Sequence, residues 1–358
     1  MGAVRQPDET LMPATGRGLL ALFVAAFLLC CAASLLLPHD RYIRYQQLAG
    51  TPLASAVWIY ERLHFDPTPI DIAIVGASRT EIGISAPQME RVLAAKLGRT
   101  VHVANLSLPK DGRDLHYELT RELIATHPEV KLILLSLTEH SARTGHSAFR
   151  SLADTGDVLR APLLVNPSYF SNVVFLPYRQ VSLFLQTALP GVFGVREVFD
   201  HTLYEGADHD TTTSHWSANG TWIDRDSVRS PAAIASQTSG KVAERTPVLL
   251  PARLRDYEYV LERSYTRKIA ALAGRKGISV GFIYLPIYGH RFPITDLDFY
   301  RNEGFVMNAA ILADDHRNFS DYAHFNQIGT TRASRWVAAR LAAMEKAGEL
   351  HFLPEKAR

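Results

Sequence analysis

Cysteine is nearly absent from this chain. Its 358 residues hold two, Cys30 and Cys31, adjacent to each other inside the first apolar run. No intrachain disulfide can therefore staple the globular part, and no cysteine-based metal site is available there. Net charge is also small: 38 Lys and Arg against 36 Asp and Glu leave +2, and no Lys/Arg cluster stands out. Such a balance excludes the basic field that binds nucleic acid. Internal repeats and strong low-complexity segments are missing too. Apolar residues are plentiful at 47%, enough for a sizeable core and too many for wholesale disorder. The length suits one large α/β domain with an insertion, or two modest domains.

From Leu19 to Leu37 the chain carries no charge, and Pro38-His39-Asp40-Arg41 ends the run. At about 1.5 Å per helical residue this length matches a bilayer core. A cleavable signal has a shorter core and a small-x-small site. Ala32-Ala33-Ser34 offers such a site, yet Leu35-Leu36-Leu37 continues the apolar run past it. Phe27-Leu28-Leu29 lacks the small residue expected before a lipidated cysteine. An uncleaved anchor over 19–37 is the preferred reading, ahead of a cleaved signal or a buried helix. Arg5 and Arg17 before the span balance Arg41 and Arg44 after it, so flanking charge does not set the orientation. The short leader favours residues 1–18 in the cytoplasm and the remainder outside the inner membrane. Residues 38–69 then read as a juxtamembrane linker, with Tyr42, Tyr45, Trp58 and Tyr60 suited to headgroups or to a core.

From Ile70 short apolar strands alternate with amphipathic helices. The strands are Ile70 to Val75, Val101 to Ala104, Lys131 to Leu137 and Ser279 to Leu285, with a short fifth around Met307 to Leu312. Ser85-Ala86-Pro87-Gln88 is a capping box opening a helix that Gly98 closes. A second helix runs from about Arg113 to Pro128. A third carries Leu254, Tyr257, Leu261, Tyr265, Ile269 and Leu272 to about Gly277. A last one carries Trp336, Val337 and Leu341. This alternation predicts a three-layer α/β/α, flavodoxin-like fold with about five mainly parallel strands. Residues 139–250 break the pattern, with a helix around Tyr178 to Leu189 and a polar loop from Glu205 to Gly240. An inserted subdomain or lid accounts for a stretch of that length. It separates a first half (70–138) from a second (251–358).

Two segments far apart carry nucleophile chemistry. The first strand delivers Gly76-Ala77-Ser78, and Asp321-Tyr322-Ala323-His324 with Asn326 and Gly329 precedes the last helix. In parallel sheets functional residues gather at the carboxyl ends of strands, so both segments fall on one edge. A serine hydroxyl needs an adjacent base, and a carboxylate three residues before a histidine can accept its Nδ1 proton. Strand, Gly-x-Ser and a distant Asp-x-x-His together resemble the SGNH (GDSL-like) hydrolase superfamily over roughly 70–137 and 250–345. The resemblance implies Ser78 as nucleophile, His324 as base and Asp321 as orienting acid.

The same resemblance places the middle blocks at Asn105 to Gly112 and Ser136 to His140. Lys110 takes the position of the oxyanion-hole glycine, with Gly112 two residues late, and Glu139 stands near the usual asparagine. A glutamate donates no hydrogen bond unless protonated. Lys110, Gly112, Glu139 and Arg79 are thus tentative substrate or oxyanion groups; a solvent or carboxylate contact is the preferred reading of Arg79, and Lys110 and Glu139 alternatively pair with each other or are ordinary surface charges. The Ser78 N–H is a further candidate. The anchor and the insertion resemble the family's cell-envelope O-acyltransferase branch, similar to the alginate O-acetylation factors and the D-alanyl transfer protein. Transfer of an acyl group, acetyl above all, to an envelope polysaccharide is the implied reaction. Its implied partners are a polysaccharide acceptor, an acyl donor and a multi-spanning membrane acyltransferase. An esterase releasing the acyl group to water and a non-catalytic glycan-binding scaffold are the rivals. No cofactor and no metal is expected: Asp208, His209, Asp210 and His215 read as a polar loop before a metal cluster. Trp216 and Trp222, flanking Asn219-Gly220, suit a sugar platform or a small core of the insertion. Tyr288-Gly289-His290-Arg291 follows a strand at the same edge, as substrate contact or plain loop.

Overall fold

Apolar runs bounded by turn residues become the strands of one sheet, and the longer amphipathic stretches become its covering helices. The computed structural model describes residues 11–139, 142–216, 220–243, 248–289 and 293–352. His140, Asn219, His290 and Arg291, among the residues considered above, lie outside that set, as does Arg5. The described helices of twelve or more residues are α1 (Leu11–Ser34), α2 (Ala86–Leu97), α3 (Arg113–Thr126), α4 (Tyr169–Ala188), α5 (Pro231–Ala243), α6 (Val260–Gly274) and α7 (Gln327–Ala347). The main sheet consists of β1 (Ile72–Val75), β2 (Val103–Asn105), β3 (Leu132–Leu137), β4 (Ser279–Tyr284) and β5 (Phe305–Asn308).

These strands lie in the order β2-β1-β3-β4-β5, and every neighbouring pair is parallel. Side chains alternate between the two faces with period two. Ile72, Ile74, Leu132 and Leu134 join one apolar cluster with Met89 and Leu93 of α2 and Val337 and Leu341 of α7. Ala73, Val75, Ile133 and Leu135 join another with Leu115 and Leu119 of α3 and Ile269 of α6. Because both faces are buried, the central strands are almost wholly apolar: β1 is Ile-Ala-Ile-Val, and Ser136 is the one polar residue of β3. Each fully buried Ile or Leu contributes about 1.5–3 kcal/mol. Half of the expected capping box is present: Ser85 Oγ accepts from the Gln88 N–H at 3.3 Å, but the Ser85 N–H donates to Ser334 Oγ of α7 at 2.9 Å, and Gly98 closes α2 in the left-handed region.

Several expectations need correction. Residues 38–69 are more than a linker: Arg41–Gln46 and Ser55–His64 are short helices, and Tyr42, Ile43, Tyr45 and Ile59 are buried in the core. Tyr45 donates to Glu122 of α3 at 2.5 Å. The helix expected near Tyr178 begins at Tyr169 and runs through Pro177. Burial of Asn172 and Leu176 in its first half outweighs the backbone bond that proline removes. The region 205–240 is not loop throughout, since His215–Trp216 pairs antiparallel with Trp222–Ile223 and α5 follows. The helix expected from Leu254 breaks at Tyr259 (φ −112°, ψ 39°) before α6 begins. The fifth strand ends at Asn308, and Ala310–Leu312 is a 3₁₀ turn.

The apolar segment forms one helix of which Gly16–Ser34 is long and apolar enough to cross a membrane, with mean hydropathy 2.1 and none of it buried. The helix closes at Ser34, and Leu35, Leu36 and Leu37 turn back onto Ala32, Ala33 and Ser34 through backbone bonds of 3.0–3.2 Å.

Candidate active site

β1 ends at Val75, and the chain turns sharply so that Ser78 opens a short helix, Ser78–Glu81. Gly76 is required there, because a Cβ would overlap Thr80 Oγ1 and the Ser136 side chain of β3. Thr80 fastens the turn by donating from its N–H and its hydroxyl to Ala77 O at 2.9 and 2.8 Å. The nucleophile candidate thus stands at the carboxyl edge of a buried strand, on a turn with little freedom.

The second segment is shaped with the same economy. An isolated antiparallel bridge between Phe319 and Phe325 closes the loop that holds Asp321 and His324. Asp321 Oδ1 accepts from the N–H groups of Ala323 and His324 at 2.8 and 2.9 Å, which pins the carboxylate. Its Oδ2 faces His324 Nδ1 at 2.8 Å, and His324 Nε2 lies 2.9 Å from Ser78 Oγ. Asn326 then caps α7 by accepting from the Gly329 N–H at 3.0 Å. Hence three side chains separated by 246 residues in sequence meet in one hydrogen-bonded line. Burial alone would raise Asp321, but the hydrogen bond and charge of His324 and the two backbone N–H groups hold it below its ordinary value. An ionised acceptor on Nδ1 keeps the proton there and leaves the Nε2 lone pair for the serine.

The tentative groups are placed as follows. Arg79 grips Glu139 with both terminal nitrogens, at 2.9 and 3.2 Å, and donates to Leu285 O at 3.0 Å. Burial opposes its charge, but Glu139 raises its pKa. Glu139 O accepts from the N–H and hydroxyl of Thr295 at 3.1 and 3.0 Å, which ties the end of β3 to the loop after β4. Lys110 adopts φ 75°, the left-handed conformation that glycine occupies without cost. The preceding loop is bonded to the nucleophile turn through Leu108 N–H to Gly76 O at 2.9 Å. Gly112 packs its Cα against His146, where a Cβ would collide with that backbone, and its N–H donates to Asp111 Oδ1 at 3.0 Å.

His146 is a positioning residue that the sequence reading missed. Its Nδ1 accepts from the Ala148 N–H at 3.0 Å, so Nε2 carries the proton and donates to Pro109 O at 2.8 Å. Burial lowers its pKa to about 4, so the ring is neutral. It fixes the loop in which Lys110 holds its left-handed turn. Glu81 was missed as well. Burial raises it to about 7 against the hydrogen bond from Ser55 Oγ at 3.0 Å. It lines a cavity of about 10 Å³, one water site, with Trp58, Asn105, His209 and Thr211. Its position three residues after Ser78, on the same side of a helical turn, was the available signal.

The insertion reaches both halves of the site. Thr211 Oγ1 donates to Glu81 O at 3.1 Å, and Ser85 Oγ donates to Asp210 at 2.5 Å. Arg225 O accepts from the Gln327 N–H at 2.8 Å, and Asn326 Nδ2 donates to Ser227 O at 3.2 Å. His209 pairs with Glu205 at 2.7 Å, and no group able to hold a metal is found among the described residues. Trp216 and Trp222 lie 5.3 Å apart with both rings exposed, which does not fit a small core. Tyr288 and Gly289 donate their N–H groups to Tyr322 O and Ala313 O, each at 2.9 Å. Comparison with known proteins finds no family model and no curated protein that matches the chain.

Proposed function

We propose that this protein is a serine-dependent acyltransferase of the SGNH superfamily that moves a small acyl group, acetyl above all, onto a cell-envelope polysaccharide. The observation that carries the reading is the line Ser78 Oγ, His324 Nε2 at 2.9 Å and His324 Nδ1 to Asp321 Oδ2 at 2.8 Å. The strand order β2-β1-β3-β4-β5 with apolar clusters on both faces supports the finer fold, a flavodoxin-like three-layer arrangement. The exposed apolar helix α1 supports a single-pass anchor; the catalytic part is proposed to lie outside the cytoplasmic membrane, with a multi-spanning acyltransferase as partner.

In the proposed cycle Ser78 Oγ adds to the carbonyl carbon of the acyl donor while His324 Nε2 takes the hydroxyl proton. The tetrahedral oxyanion collapses, the donor's leaving group departs with that proton, and an acyl-serine remains. A glycan hydroxyl then attacks the ester, gives its proton to His324 and regenerates the Ser78 hydroxyl. The Ser78 N–H stands in the first turn of its helix, where an N–H has no carbonyl four residues back and is free to face the oxyanion.

Hydrolysis to water is the second reading, favoured by the 27% and 37% exposure of the His324 and Asp321 side chains. The full chain in detergent, given an activated acetyl ester with and without acceptor polysaccharide, separates the two. Acetate leaving the enzyme faster on addition of the glycan, as glycan ester, supports transfer; unchanged release as free acetate supports hydrolysis. Ser78→Ala in the host, read by ester content of the surface polysaccharide, tests the chemistry itself. Unchanged ester content in that variant, with loss on deletion of the protein, establishes a scaffold instead.

A further inference from the structure

We infer that the exposed face of α4 lies in the membrane–water interface beside the anchor, with a lipid surface as its partner. The inference rests on the reading of α1 as a membrane span and is independent of the proposed chemistry. Phe170, Val174, Tyr178, Val181 and Leu185 are all exposed, and their spacing of four, four, three and four residues puts them on one helical stripe. Val174 is 76% exposed, although it stands mid-helix in an ordered, folded element. Beyond its two ends Leu164 and Val192 are exposed as well.

Charge is scarce along this stretch of sequence, although the Arg150 guanidinium from the preceding segment lies over Phe175 at 4.5 Å. From Ala161 to Val195 the only charged side chain is Arg179. It is buried, donating to Arg150 O, Ala153 O and Thr155 Oγ1 at 2.7–3.0 Å. Charged residues make up 21% of the chain, so a water-facing helix of this length would carry about four. A contiguous uncharged apolar stripe of this kind marks a surface that something other than water covers.

The anchor says what covers it. Gln180 Nε2 of α4 donates to Leu35 O at 3.3 Å, one residue beyond the end of α1, and the Asp40 N–H donates to Thr187 Oγ1 at 3.0 Å. Leu35 packs on the same apolar cluster as Leu176, on the inner side of α4. A helix that leaves the bilayer at Leu35 therefore touches the flank of α4, and the headgroup level must lie within a few ångströms of it. An apolar face at that level, carried on a helix whose other face is packed on the domain, has the form of an interfacial element. It would hold the folded part against the membrane and fix its tilt.

The test uses the full chain with Cys30→Ser and Cys31→Ser, in flotation-purified vesicles of phosphatidylethanolamine and phosphatidylglycerol. Single cysteines are introduced by Val174→Cys, Val181→Cys, Leu28→Cys in the anchor and Ile311→Cys at another exposed apolar site. Each carries a bimane label, and a fraction of the lipid carries a nitroxide at a shallow acyl position. Labels at 174 and 181 quenched about two-fold more than the label at 311 support the inference. Quenching at 28 alone overturns it and leaves the anchor standing. No quenching at any of them overturns the anchor reading and the inference with it. Shielding of 174 from water in native membranes but not in these vesicles, which hold no other protein, assigns the face to a membrane protein, which also overturns it.

Discussion

Asp321→Asn discriminates most sharply, because the structure dictates which way the new amide must point. Asp321 Oδ1 accepts two backbone N–H groups, from Ala323 at 2.8 Å and His324 at 2.9 Å. An amide nitrogen cannot occupy that position, since it would set donor against donor twice. The carbonyl oxygen of the substituted side chain is thus held there, and its NH₂ takes the place of Oδ2, facing His324 Nδ1 across the 2.8 Å contact. Nδ1 must then accept, so the neutral ring carries its proton on Nε2. That proton points at Ser78 Oγ, and the base becomes a donor to the group it should deprotonate. A wrong tautomer of this kind costs about 10⁴ in kcat, or about 5 kcal/mol of transition-state stabilisation. Asp321→Ala removes the carboxylate without installing a donor, and is expected to cost no more than the asparagine variant. The assay is a stopped-flow burst of leaving group from an activated acetyl ester, with near-UV circular dichroism to verify an unchanged fold. An asparagine variant within tenfold of the parent, correctly folded, refutes the tautomer argument and with it the role given to His324.

Lys110→Gly relieves a left-handed backbone and is expected to stabilise the protein by about 0.5–1 kcal/mol in urea unfolding, whereas Lys110→Val costs a similar amount or more. If the lysine side chain serves only the surface, the glycine variant keeps its acyl-transfer rate; a large loss instead assigns that side chain to the site. Glu139→Ala leaves Arg79 without its carboxylate in a largely buried setting, at a cost near the lower end of the usual range, about 3 kcal/mol. Denaturant midpoints check it, and a change under about 1 kcal/mol would show that the pair is not a brace. Glu81, raised by burial from 4.5 to about 7, makes the folded state bind more protons than the unfolded one between those values. Stability therefore falls as pH rises through that window, by up to about 3 kcal/mol from this group. Glu81→Gln should match the parent at pH 4 and exceed it at pH 8; an equal difference at both would contradict the burial argument.

What could be read beforehand was whatever local pattern decides. Ile72 to Val75 is apolar at every position and Leu132 to Leu137 at all but Ser136, because both faces are covered, and no other element accommodates such short runs between turn signals. Ser85 and Gly98 announced the limits of α2 through capping chemistry alone. Gly76-Ala77-Ser78 and Asp321-x-x-His324 were legible for a related reason: each builds its own geometry from neighbours within a few residues. Where long-range packing decides, local pattern misled. Local pattern places a helix only around Tyr178 to Leu189, but burial of Leu176 ahead of Pro177 and Leu183 after it carries α4 through the proline from Tyr169. Tyr42 and Tyr45 suited a headgroup belt as well as a core, and long-range packing decides for the core: both are buried, and Tyr45 bonds Glu122 of α3. His146 gave no sequence signal, since its task is defined by the Pro109 carbonyl 37 residues earlier in the chain.

The insertion ties these levels together. Asn326 caps α7 through Oδ1 while its Nδ2 donates to Ser227 O, and the next residue, Gln327, donates its N–H to Arg225 O. One short segment therefore starts the last helix, follows the candidate base by two residues and docks the insertion. On the other side, Thr211 and Asp210 hold Glu81 O and Ser85, immediately after the nucleophile turn. Residues 210–211 and 225–227, joined by Arg225 Nε donating to Thr211 O at 3.2 Å, consequently bridge the two halves of the sheet domain at the edge where Ser78 meets His324. An element so placed cannot move without straining the turn that carries one catalytic candidate or the cap beside the other.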